Sequence, residues 1–336
     1  MSRLTFGVGL FPTEPLPTMV GLARLAEELG FGHVWVGDSH LIWREAYVTL
    51  TAAALATTRV VLGTGVTNLV TREPAVVASA FATLHEACPR RLILGAGLGD
   101  SAVETMGKKP ARLAALEAGL RRIRELLAGR DVTTETGTIR LKHAIGDEVP
   151  IYVAASGPRM LELAGRIADG AIVLVGVDDA RVRQALEVVA AGARSAGRDP
   201  DALDLVLWVP CAVGDDGGAA RDAVKAHVAR ALNRPLPFAL DESEGRIVED
   251  IRQTYDYYGH MEAGSSQARV VPDWLVDRFA IAGTAPECRA AVERLRESGI
   301  RQLAIIPYGA GAGGRVATLR GFAAAAMGSP DRPDCG

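Results

Sequence analysis

Cysteine is scarce in this chain, and its four cysteines stand far apart. They are Cys88, Cys211, Cys288 and Cys335, with no CxxC pair and no histidine at metal-ligand spacing. Such scattering argues against structural disulfides and against a zinc site, and it is typical of proteins of a reducing compartment. We therefore expect no metal and a cytoplasmic location. The first residues, which lack the layout of a signal peptide, agree with that expectation.

Long apolar runs and a one-sided charge are missing as well. No segment approaches the roughly 18 uninterrupted apolar residues that a membrane-spanning helix needs. Lys and Arg number 37 against 40 Asp and Glu, a net charge of −3, and no basic tract stands out. We therefore expect neither a nucleic-acid partner nor membrane contact. The 336 residues are 49% hydrophobic, enough for two ordinary domains or for one large α/β barrel.

A short apolar run followed by an amphipathic stretch recurs along most of the chain. The runs are continuous rather than alternating, as in parallel strands that are covered on both faces. They lie at 4–10, 33–37, 59–63, 91–97, 150–155, 170–176, 203–214 and 301–307. Eight such repeats without a break in composition predict one closed (β/α)8 TIM barrel, with an open doubly wound sheet as the alternative.

Two stretches interrupt this rhythm. Residues 130–149 are rich in β-branched residues around a glycine and predict a small hairpin inserted after the fourth helix. Residues 233–276, after the seventh strand, are long and irregular; they predict a lid over a binding site, with an oligomer contact or disorder as alternatives. We expect residues 1–330 to form a single domain and residues 331–336 to form a flexible tail.

Small and polar residues follow several predicted strands. In a barrel the carboxyl ends of the strands meet at one mouth, where the chemistry lies. The segments are DSH at 38–40, GTGVTN at 63–68, GAGLGDS at 95–101 and AASGPR at 154–159. Each alone is explained by a helix cap or an ordinary turn. Together they predict one binding site.

The last of these segments suits a phosphate. A loop of small residues that enters a helix exposes free N–H groups at the positive end of the helix dipole. Ser156 adds a hydroxyl, Gly157 leaves room for the ligand, and Arg159 offers a cation. A phosphate site after a late strand is common in this architecture.

These motifs resemble those of the luciferase-like flavin oxidoreductases. The resemblance is nearest to the branch that uses coenzyme F420, a deazaflavin, and that includes methylenetetrahydromethanopterin reductase. It is carried by DSH at 38–40, LGTGVTN at 62–68, EPAVVASAFATL at 73–84, GAGLGDS at 95–101 and AASGPRMLELAGRIADG at 154–170. The fold implied is again a (β/α)8 barrel, and we expect a homodimer.

The resemblance also implies roles for the strand-end residues. The Gly65–Val66 peptide bond is expected to be cis and to support the back of the cofactor ring. His40, near the reactive edge of the ring, and Asp100, near the substrate, are the expected catalytic residues, unless His40 only touches the ring and Asp100 only caps a helix. The residues expected to bind the cofactor are Asp38, Gly65, Val66, Asn68, Gly97, Gly99, Ala155, Ser156 and Gly157.

The leading hypothesis is an oxidoreductase that moves hydride between coenzyme F420 and a small organic substrate. The alternatives are an FMN-dependent luciferase-like monooxygenase, fed with reduced flavin by a partner reductase, and a flavin-binding relative without turnover. One residue departs from the reductase pattern: Gly9 stands where that branch carries a glutamate near the end of the first strand. This departure argues against methylenetetrahydromethanopterin as the substrate.

Overall fold

The computed structural model describes residues 4–146, 148–259, 261–309 and 313–327. Cys335 and the predicted tail at 331–336 lie outside these ranges. In chain order the strands are β1 (Thr5–Leu10), β2 (His33–Val36), β3 (Val61–Thr64), β4 (Thr67–Asn68), β5 (Leu92–Gly97), β6 (Val132–Thr134), β7 (Gly137–Ile139), β8 (Ile151–Ala155), β9 (Gly170–Val173), β10 (Asp204–Val213), β11 (Ile281–Gly283) and β12 (Gln302–Pro307).

Eight of these strands close into a parallel barrel. The order of pairing is β1, β2, β3, β5, β8, β9, β10 and β12, and β12 pairs back to β1. The short strands β4 and β11 extend the barrel wall by pairing with β5 and β10. The predicted (β/α)8 barrel is therefore confirmed. In an open sheet the first and last strands of this order, β1 and β12, would not be hydrogen-bonded to each other.

Helices surround the barrel. They are α1 (Leu16–Glu28), α2 (Ala46–Ala56), α3 (Pro74–Ala87), α4 (Ser101–Glu104), α5 (Leu113–Leu127), α6 (Pro158–Ile167), α7 (Asp179–Ser195), α8 (Gly217–Leu232), α9 (Glu242–Thr254), α10 (Ser266–Arg269), α11 (Asp273–Phe279), α12 (Ala285–Leu295) and α13 (Gly314–Phe322). None of the helices within the described ranges is long and apolar enough to cross a membrane.

The barrel interior is filled by large side chains. Trp35, Tyr152 and Trp208 belong to one buried cluster with Ile172 and Ile306, contributed by alternate positions of the barrel strands. A second, larger cluster lies between the strands and the helices. Strands that are buried on both sides explain why the apolar runs of the sequence are continuous.

The two inserted stretches have regular structure. Within 130–149, β6 and β7 pair as an antiparallel hairpin. Residues 233–276, expected to be irregular, contain the helices α9 and α10 and most of α11. The fully buried carboxylate of Glu244 anchors this segment, because it accepts hydrogen bonds from Arg181 (2.9 Å) and Arg278 (2.7 Å). Asp241 and Glu244 also form a capping box at the start of α9, which is a local sequence signal for a helix at this point.

Candidate active site

A cavity of about 880 Å³ opens at the carboxyl ends of the barrel strands. Every residue expected to bind the cofactor lines it, and so does the expected catalytic residue Asp100. These are Asp38, Gly65, Val66, Asn68, Gly97, Gly99, Asp100, Ala155, Ser156 and Gly157. The topology thus brings four separate sequence segments to one site, although the role of each residue stays a prediction.

Gly65, directly after β3, is packed closely against the side chains of Trp208 and Trp35. The Gly65–Val66 peptide bond is cis, as the resemblance implies. A Cβ atom on Gly65 would lie 2.6 Å from Cη2 of Trp208 and 2.9 Å from Cβ of Trp35. On the neighbouring strand, a Cβ atom on Gly97 would lie 3.2 Å from a methyl group of Val66. Side chains at these positions would therefore push the strand ends apart.

Asp38 holds one side of the cavity together. Its side chain is 1% exposed and accepts hydrogen bonds from Thr67 Oγ1 (2.8 Å) and Arg72 Nε (2.7 Å), while His40 Nδ1 lies 3.0 Å away. Burial raises the pKa of this carboxyl, but the hydrogen bonds from His40 and Arg72 outweigh burial and lower the pKa to about 2. Asp38 is therefore ionised at every ordinary pH.

Asn68 lines the cavity and carries a buried donor that the described residues do not use. Its Oδ1 accepts hydrogen bonds from the backbone N–H groups of Val70 (3.0 Å) and Thr71 (2.9 Å) and from the Thr71 hydroxyl (3.1 Å). Its Nδ2 is buried and has no hydrogen-bond partner in the part of the chain that the structure describes. A buried donor without a partner costs about 1–3 kcal/mol, so an acceptor on a ligand is its natural partner.

The structure places His40 beside the cavity rather than on it. His40 is absent from the cavity lining formed by the described residues. Its Nδ1 faces Asp38, and its Nε2 lies 2.5 Å from the Thr71 hydroxyl. Both ring nitrogens are engaged within the protein. The predicted role of His40 in proton transfer stays a prediction.

Asp100 occupies the position before the first turn of α4, but its side chain makes no capping hydrogen bond. It pairs instead with Arg230, at 3.2 Å, and with Arg234. Neither arginine was identified from the sequence. Two arginines four residues apart at the end of a helix usually face solvent, and only the fold shows that these line the cavity.

The predicted phosphate-binding segment enters α6 through Gly157 and Pro158. No side chain caps the start of this helix. Pro158 has no N–H group, and the Met160 N–H donates to the Gly157 carbonyl (3.1 Å), so the backbone donors that an anion could use are those of Gly157 and Arg159. A Cβ atom on Gly157 would lie 3.0 Å from Cβ of Pro235, in the inserted stretch 233–276. Gly157 is therefore needed for packing as well as for access.

Trp208 closes the bottom of the cavity next to Gly9. A Cβ atom on Gly9 would lie 2.8 Å from Cη2 and 2.9 Å from Cζ2 of Trp208. The indole ring thus fills the space that a side chain at position 9 would need. An apolar surface stands where the reductase pattern has a carboxylate.

Comparison with known proteins agrees with this geometry. Residues 4–302 match the luciferase-like monooxygenase family. The chain is 34% identical over 319 residues to 5,10-methylenetetrahydromethanopterin reductase of Methanolobus tindarius, covering 89% of this chain and 93% of the relative. It is 34% identical over 254 residues to the F420-dependent hydroxymycolic acid dehydrogenase of Mycobacterium tuberculosis, covering 69% and 70%.

A solved structure shares the fold. The coenzyme F420-dependent tetrahydromethanopterin reductase from Methanopyrus kandleri superposes with a TM-score of 0.78 at 24% identity. The match covers 97% of this chain and 99% of that structure. At this level of identity the match supports the barrel architecture and no finer statement.

Asp38→Asn is expected to lower the free energy of unfolding by about 2 kcal/mol at pH 7. The lowered pKa means that the ionised carboxylate stabilises the fold fully above about pH 4, and that this contribution is lost as the pH falls toward about 2. Urea unfolding of both proteins at several pH values tests this. The gap between them should shrink below pH 4.

Glu45→Gln is the matched control, because Glu45 is the exposed partner of the same Arg72 side chain. An exposed pair contributes at most about 1 kcal/mol, so this variant should change stability little. The difference in the free energy of unfolding between Asp38→Asn and the unmodified protein could also stay constant from pH 7 to pH 2. That result would rule out the ionised carboxylate as its cause.

Proposed function

This chain belongs to the luciferase-like monooxygenase family, and from that premise we propose that it transfers hydride between coenzyme F420 and a small organic substrate. Its relatives confirm the predicted oxidoreductase class and the predicted cofactor, since they include a reductase and a dehydrogenase that is F420-dependent by name. The alternative of an FMN-dependent monooxygenase has weaker support, because it rests on the description of the family and on solved structures at 25% identity or less, whereas the F420-dependent dehydrogenase is 34% identical.

One observation carries this proposal. The residues proposed to hold the ring (Gly65, Val66 and Asn68) and those proposed to hold the phosphate (Ser156 and Gly157) line the same cavity. The deazaflavin, when bound, supplies the hydride chemistry. Asn68 would donate from Nδ2 to an acceptor on the ring, since that donor is otherwise unpaired. Ser156 and the first N–H groups of α6 would hold the phosphate. Val66 and Gly97 would line the ring seat.

His40 acts in this proposal as a positioning residue. It contacts Asp38 and Thr71, and these two residues contact Thr67 and Asn68 on the cavity wall. His40 therefore holds the ring seat in place. The carboxylate of Asp100 is paired with the guanidinium groups of Arg230 and Arg234.

The substrate is proposed to differ from methylenetetrahydromethanopterin. Trp208 excludes a carboxylate at position 9, and it leaves an apolar floor beneath the ring seat. Arg234, Pro235 and Met261 line the cavity, so the inserted stretch 233–276 reaches the substrate space. We propose that this stretch serves as the lid that its length predicts and that it selects the substrate.

The purified protein is expected to bind F420 at least roughly tenfold more tightly than FMN. F420 has the longer and more acidic tail, and the exposed residues Arg112 and Arg159 at the cavity rim favour it. Fluorescence titration with both cofactors provides the measurement. Tighter binding of FMN would overturn the proposal and would favour the monooxygenase.

The same titration on Asn68→Asp tests the ring seat. This variant keeps an acceptor for Val70 and Thr71 but removes the donor, so F420 affinity should fall about tenfold or more. Thr71→Ser keeps the hydroxyl that bonds Asn68 and should leave affinity unchanged. Equal affinity in the folded Asn68→Asp variant would remove Asn68 from the ring site.

A homodimer is the proposed assembly, and a cytoplasmic location stays a prediction from the cysteine pattern. Val48 and Leu55 are 55% and 75% exposed on one face of α2, and Val76 on α3 is 64% exposed. Residues seven apart in a helix share a face, and a patch of exposed apolar side chains marks an interaction surface. We propose that a second copy of the chain covers this patch.

The double variant Val48→Glu with Leu55→Glu is expected to be monomeric, because two carboxylates would be buried at the interface. Sedimentation velocity over a range of protein concentrations provides the measurement. Tyr258→Glu, which alters an exposed side chain elsewhere (62% exposed), should remain a dimer. A double variant that sediments like the unmodified dimer would disprove this interface.

A further inference from the structure

We propose that Arg230 and Arg234 form a substrate subsite that binds an oxyanion, either a carboxylate or a phosphate. This inference rests on the proposed function, because it assigns a substrate class to the same cavity. The substrate would then be a small anionic molecule whose charged group lies on the side of the cavity next to α8.

The two arginines are placed for such a ligand. They lie four residues apart, at the last turn of α8 and just after it, and both line the cavity. Their side chains are 16% and 30% exposed. Asp100 is their shared carboxylate partner among the described residues. Two guanidinium groups thus share one carboxylate.

The positive charge is incompletely compensated. Burial lowers the pKa of both Arg230 and Arg234, which shows that their charges are held in a poorly solvated place. The Nε atom of Arg230 is buried and has no hydrogen-bond partner within the described ranges. A guanidinium group binds carboxylates and phosphates through two parallel hydrogen bonds. An oxyanion would supply both the missing charge and the missing acceptor.

This subsite differs from the proposed phosphate site of the cofactor. The phosphate segment has its own arginine, Arg159, which is exposed at the cavity rim. Arg230 and Arg234 lie at the end of α8 and are more deeply buried. Pro235 nevertheless contacts the position of Gly157, so the two sites are neighbours. The experiment must therefore separate the cofactor from the substrate.

Asp100 has a defined part in this proposal. With no anion bound, its single carboxylate pairs with both arginines and offsets the charge of one of them. A bound oxyanion competes with it for the same guanidinium groups. Removing the charge of Asp100 should therefore strengthen anion binding, which is the opposite of what loss of a substrate contact would do.

The test titrates the F420-loaded protein with inorganic phosphate by isothermal titration calorimetry. Arg230→Gln combined with Arg234→Gln should weaken phosphate binding at least roughly tenfold and leave F420 affinity within about threefold. Asp100→Asn should strengthen phosphate binding several-fold. Arg121→Gln, on the exposed face of α5 (72% exposed), is the control and should change neither affinity.

Each other result is also informative. Unchanged phosphate affinity in the double variant, or weaker binding in Asp100→Asn, would overturn the proposal. Loss of F420 affinity with unchanged affinity for the deazaflavin nucleoside, which lacks the phosphate and the tail, would assign the arginines to the cofactor and overturn the substrate assignment. If the double variant does not fold, Arg234→Gln alone and Asp100→Asn still decide the matter.

The proposed function and the arginine subsite would fail through different results. If the protein binds no F420, the proposed F420-dependent oxidoreductase activity is wrong. Phosphate titration of the cofactor-free protein and its variants would then still test the arginine subsite, with the same expected order of affinities.

Discussion

The ring side of the cavity depends on the buried carboxylate of Asp38. This one group joins the end of β2 to β4 through Thr67 and to the loop before α3 through Arg72. A buried carboxylate without partners costs several kcal/mol, so its burial requires these partners to stay in place. Asn68 follows Thr67 directly in β4, and hydrogen bonds from Val70 and Thr71 to its Oδ1 orient its amide group.

Much of the fold could be predicted, because barrel strands that are buried on both faces leave continuous apolar runs in the sequence. β9, for example, is buried along its whole length. The helices of 233–276 could not be predicted in the same way. α9 has no continuous apolar run: its buried residues Val248 and Ile251 are separated by charged residues, and its buried Glu244 pairs with the distant residues Arg181 and Arg278.

The strand-end residues of the candidate site could also be predicted, since parallel strands bring their carboxyl ends to one mouth. Other features needed the structure. Asp100 and Arg230 are 130 residues apart, and no local pattern indicates that they pair. His40 follows a strand like its neighbours, but its contacts with Asp38 and Thr71 could not be read from the sequence. A sequence gives the position of a side chain along the chain but not its direction.

We propose that the ring of coenzyme F420 lies against the Gly65–Val66 peptide bond and that Asn68 donates a hydrogen bond to it. A crystal structure of the protein with bound F420 would test this arrangement. We predict a ring oxygen or nitrogen about 3 Å from Asn68 Nδ2 and the phosphate at the start of α6, clear of Arg230. A complex that leaves Asn68 Nδ2 unpaired, with the ring elsewhere in the cavity, would contradict it.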